Sequence, residues 1–105
     1  MEKDESIKQL VQSLPMKERG WILLDHWDAD RCATGIAHRD DPRRLVYVST
    51  FRNSPGRYSY ECEAPVGEAE VDYKVTATGE DVSREELLAV LEQHLAPDPS
   101  AGTER

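Results

Sequence analysis

The sequence predicts a small α+β domain: an N-terminal helix, an antiparallel meander of about five strands, and a C-terminal helix packed on the sheet. Three observations predict it. Apolar residues recur at helical spacing only near the two ends of the chain, as Ile7, Leu10, Val11 and Leu14 and again as Leu87, Leu88, Val90, Leu91 and Leu95. Between them the apolar residues lie in short runs rich in β-branched and aromatic side chains. Short polar, Pro- and Gly-bearing segments separate those runs, which favours pairing of sequence neighbours.

The elements follow in order. Residues 5 to 14 carry the i, i+3, i+4, i+7 pattern, with Asp4 and Glu5 at the positive end of the helix and Pro15 as its stop. Residues 21 to 27, Trp-Ile-Leu-Leu-Asp-His-Trp, are too short and too apolar on both parities for a surface helix and read as a strand covered on both faces. After the polar turn at 28 to 31, residues 32 to 38 form its antiparallel partner, which sets His38 opposite Trp21 and Cys32 opposite Trp27. Residues 39 to 44 read as a loop. Residues 45 to 52 give the clearest strand, and Pro55-Gly56 suits the two central positions of a type II turn leading into a strand over 58 to 63. Strict alternation there sends Tyr58, Tyr60 and Cys62 inward and Ser59, Glu61 and Glu63 outward. A last strand over 70 to 77 puts Val71, Tyr73, Val75 and Ala77 inward, with Glu70, Asp72 and Lys74 as edge protection. Ser83 and Glu86 spell a capping box, which opens a helix over 84 to 95.

With 105 residues the chain is one domain, assigned to 1–96, and residues 97–105 have no periodicity and read as a flexible tail. Leu, Ile, Val and Phe make up one residue in five, so the core is thin. The formal charge is −8, from 13 Lys and Arg against 21 Asp and Glu. That balance argues against a nucleic-acid or anionic-membrane partner and for a basic protein. Charge is also uneven: the first 60 residues are close to neutral, and the last 45 hold three basic and twelve acidic groups. The start lacks an apolar leader pattern, and two cysteines are too few for a disulfide scaffold or a four-Cys zinc site, so the reading is a cytoplasmic protein with no cofactor and no metal; the edge protection by Glu70, Asp72 and Lys74 points to a monomer.

Four groups of residues merit comparison with the structure. A symmetric hairpin sets Glu63 opposite Glu70 and Glu61 opposite Asp72, a repulsive arrangement that marks Glu61, Glu63, Glu68, Glu70 and Asp72 as an acidic patch for a basic partner. The same residues also suit a solvated, edge-protecting face. Arg31, Arg52 and Arg57 flank turns at one end of the sheet, where three guanidinium forks suit an anion, although loop arginines also pair with neighbouring aspartates. Trp27, at a strand end beside a polar turn, is the candidate interface anchor. Finally, Cys32 or Cys62 with His26, His38 or His94 offers the ingredients of a nucleophilic site without any local motif, so no catalytic residue is assigned. The expected function is a non-catalytic, acidic protein-binding domain, a physical type that includes immunity or antitoxin-like inhibitors. The alternative is a small enzyme or anion-binding domain built on the three arginines.

Overall fold

A computed structural model describes residues 3–24, 30–66 and 73–95 of the chain. In order the elements are α1 (Glu5–Ser13), α2 (Met16–Arg19), β1 (Trp21–Leu24), β2 (Ala33–His38), β3 (Asp41–Ser49), β4 (Arg57–Pro65), β5 (Tyr73–Ser83) and α3 (Arg84–His94). The five strands form one antiparallel sheet in the order β1-β2-β3-β4-β5. The expected α+β meander between two helices is the fold of the chain.

Helix α1 starts where Asp4 caps it. Its carboxylate accepts from the Ser6 amide at 3.0 Å and from the Ser6 hydroxyl at 2.6 Å, and these bonds hold Asp4 below the usual carboxylate range. The Asp4 amide donates to Arg31 O, and Ser6 Oγ lies 2.8 Å from Thr50 Oγ1, so the helix start is tied to one end of the sheet. The short α2, which the sequence pattern missed, ends at Gly20 with φ +73°. A Cβ there would lie 3.1 Å from the His38 ring. At the other end of the chain, Ser83 accepts from Glu86 N while Glu86 accepts from Ser83 N, the reciprocal box read from the sequence. Ser83→Ala is expected to lower stability by about 1 kcal/mol, read as a lower urea midpoint at unchanged slope.

Both long helices lie on the same face of the sheet. Leu10 and Leu14 from α1, and Leu87 and Leu91 from α3 with Leu95 just after it, close over Trp21, Ile36, Val46, Val48 and Cys62. Arg84 donates to Ser13 Oγ at 2.8 Å and also to Ser13 O, which joins the start of α3 to the end of α1.

Several boundaries differ from expectation for identifiable reasons. Strand β1 ends by Leu24 within the described residues, and Ile22 and Leu23 are exposed, so it is not covered on both faces. The loop expected over 39 to 44 shrinks to two residues, because Asp40 N donates to His38 Nδ1 and lets β3 begin at Asp41 opposite His38. The β3–β4 turn agrees with expectation: Arg57 N donates to Ser54 O and Gly56 has φ +78°, the left-handed position of a type II turn. Strand β5 continues six residues past its expected end, to Ser83. Irregularities opposite the steps Tyr58/Tyr60 and Cys62/Glu63 each place an extra residue on β5.

Candidate functional site

The register places Glu61 and Glu63 on the sheet face away from the helices. Cys62 pairs with Val46 and Ala77 on the helix side, so Glu61 and Glu63 point to the other side. Cross-strand pairs then assemble two rows on that face. One runs Ile22, Ala37, Leu45, Glu63, Val75, and the next runs Leu24, Gly35, Tyr47, Glu61, Thr78. Glu63 is therefore the single acid in an otherwise apolar row, and only 7% of it is exposed.

The expected exposure of Glu63 and the expected register of both acids are corrected by this arrangement. Glu63 is buried, and its neighbours across the hairpin are Val75 and not Glu70, while Glu61 faces Thr78 and not Asp72. The symmetric hairpin fails because β4 continues to Pro65 and β5 takes up an extra residue between Ala77 and Val75. Glu68, Glu70 and Asp72 lie outside the described residues, as do Trp27 and His26. Tyr73 and Val75, expected inward, are 58% and 46% exposed, because within the described residues no helix covers the face on which they lie.

The chemistry of the pair follows from its surroundings. Burial raises the Glu63 pKa first, and a hydrogen bond with Glu61 and that group's charge raise it further, to about 7. Two carboxyl groups hydrogen-bond only when one keeps its proton, so the pair holds a proton where most carboxylates have lost theirs. Tyr47, directly opposite Glu61, has its hydroxyl pushed up by burial and by the charge of Asp30.

The sheet-end arginines are partly brought together. Arg52 and Arg57 line one cleft of about 460 Å³ with Asp4, Cys32 and Phe51, and Arg31 is adjacent in sequence to Cys32. Their guanidinium groups have different engagements. Arg57 faces Asp81 at 3.5 Å and donates to Asp81 O at 2.6 Å. Arg52, with φ +63°, stacks its guanidinium 5.3 Å from the Phe51 ring. Phe51, expected on a strand, follows the end of β3 and is 62% exposed.

A cysteine and a histidine share a cleft without forming an activated pair. Cys62 and His94 line the same cleft beside α3, yet burial pushes the Cys62 thiol up, away from the reactive thiolate. His94 places Nε2 2.9 Å from Glu63 O. A carbonyl only accepts, so Nε2 carries the proton. Burial holds the His94 pKa below its ordinary value.

Two features of this region escaped the sequence pattern. Exposed Glu80 and Asp81 belong to β5 and lead into Glu85 of α3, because the strand passes through Gly79. Arg44 is a strand residue in the α3 cleft, where the pattern had placed it in a loop. Among the described residues, no three or more His, Cys, Asp or Glu side chains gather as a metal would require, and no helix is long and apolar enough to cross a membrane. No family model, curated protein or solved structure matches this chain.

Proposed function

We propose that the protein is a non-catalytic binding domain that acts in the cytoplasm as a monomer and takes a basic protein as its partner. An immunity or antitoxin-like inhibitor is the role that best suits this physical type. The observation that carries the reading is strand β5. It has eleven residues, it is last in the strand order, and it is exposed from Tyr73 to Thr78 and again at Glu80 and Asp81. An edge strand presents a row of backbone donors and acceptors to which an extended segment of a partner adds directly. The exposed carboxylates of Glu80, Asp81 and Glu85 at its far end, within a chain of net charge −8, favour a basic segment and speed its approach. Glu61 and Glu63 have a smaller part in this surface than their sequence pattern implies, because Glu63 is withdrawn from solvent.

The test begins with a stoichiometric partner purified from the native cell. Its isoelectric point should be basic. Glu80→Lys combined with Glu85→Lys should slow association by about tenfold at low salt, and Val75→Lys should weaken the complex by placing a charge on the edge. A partner that is acidic, or that binds both variants as tightly as it binds the unaltered protein, would overturn the reading.

A further inference from the structure

We propose that the cleft between α3 and strands β4 and β5 is a binding site for a small carboxylate, gripped by Arg44 and His94. The cleft has a volume of about 390 Å³, and its walls are mixed: Val90 and Ala77 are apolar, while Arg44, Gln93, His94 and Tyr60 bring polar groups. Small-molecule sites bring a few polar groups together beside apolar walls, and this cleft has both.

Arg44 is the reason for choosing an anion. The chain has 21 carboxylate side chains against 13 Lys and Arg, and yet this half-buried guanidinium has no ion pair and no hydrogen bond among the described residues. By contrast Arg19 meets Glu92, and Arg57 meets Asp81. A guanidinium carries five donors in a planar fork that matches the two oxygens of a carboxylate, so an unmatched fork in a recess is a receptor for one. Burial keeps the Cys62 thiol on the cleft wall neutral, so it adds no negative charge against the incoming group.

His94 supplies both a second contact and a reporter. Its Nε2–H is committed to Glu63 O, and the other ring nitrogen is the one that titrates. The charged groups acting on the ring are Arg44, which disfavours its protonation, and Asp41, which favours it; the backbone carbonyls of Glu63 and Leu45 also favour the protonated form. A carboxylate seated against Arg44 cancels the opposing charge and accepts from the protonated ring. Binding therefore raises the pKa of His94, and by linkage the site takes the anion more tightly as pH falls.

Sodium butyrate is the probe, followed by proton NMR titration of the imidazoles; the chain has three histidines, and His94→Gln identifies the relevant signal. Butyrate should move the His94 midpoint upward by about half a pH unit, while sodium chloride at equal ionic strength should not. Arg44→Gln should remove the response, and Arg52→Gln, at the other end of the sheet, should leave it. Gln93→Glu, at an exposed position, places a competing carboxylate in the cleft and should block butyrate even if the Arg44 variant fails to fold. An equal response to chloride, no response to butyrate, or a response that survives Arg44→Gln or Gln93→Glu would each overturn the proposal.

Discussion

Glu63→Gln should stabilise the protein at pH 8 by on the order of 2 kcal/mol and leave its stability at pH 5 nearly unchanged. The sign follows from the direction of the shift. Glu63 is raised from 4.5 to about 7 in the fold, so the folded state favours the protonated acid. The contribution is most favourable below the unfolded value, declines as pH rises from about 4.5 toward 7, and is lost above that. Each pH unit of difference is worth about 1.4 kcal/mol, and the figure of 2 discounts the full shift because the proton is shared with the half-exposed Glu61. Glutamine keeps the shape, and its amide donates to the Glu61 carboxylate in place of the acid proton. Urea midpoints at the two pH values decide the matter: equal gains at pH 5 and pH 8 would show that Glu63 does not hold its proton in the fold. Asp4 and Glu86 act in the opposite direction, since capping bonds lower both and their contributions are lost on acidification. The unaltered protein should therefore be most stable between the ordinary carboxylate range and neutrality.

Gly79→Ala should cost about 1–3 kcal/mol through a different mechanism. A Cβ at this position would lie 2.2 Å from Tyr60 Cε2 and 2.6 Å from its Cζ. Tyr60 pairs with Gly79 across β4 and β5, and its ring packs against the core cluster while lying over the glycine. The ring must move for the methyl to fit, and the packing beneath it loosens. Combining Gly79→Ala with Tyr60→Leu gives the check, since the shorter side chain removes the collision and the double variant should lose much less than the sum of the two. Strict additivity would mean that the collision is not the cause.

The sequence patterns that located the elements are local and strong. The capping box at Ser83 and Glu86 and the Pro55-Gly56 turn each depend on a few adjacent residues whose chemistry permits little else. Alternation correctly assigned Glu61 and Glu63 to the face opposite Cys62. It could not show that Leu45 and Val75 would flank Glu63 there, because cross-strand neighbours depend on register, and register depended on one extra residue in β5. The continuation of β5 past its expected end at residue 77 has a related reason. A glycine in a polar stretch reads as a strand end, whereas here it makes room for a tyrosine on the adjoining strand. Arg44 escaped notice because a two-residue turn at Arg39 and Asp40 leaves the following residues free to extend β3.

The strand order also bears on how quickly the chain folds. Every strand pairs with its neighbour in sequence, and β5 runs directly into α3 without a connecting loop. Chain-closure entropy is then met in small steps, hairpin by hairpin, and no distant segments must find each other before the sheet gains stability. The main refolding phase should accordingly be fast, on a timescale of about milliseconds, as for other mixed α and β domains dominated by local pairing.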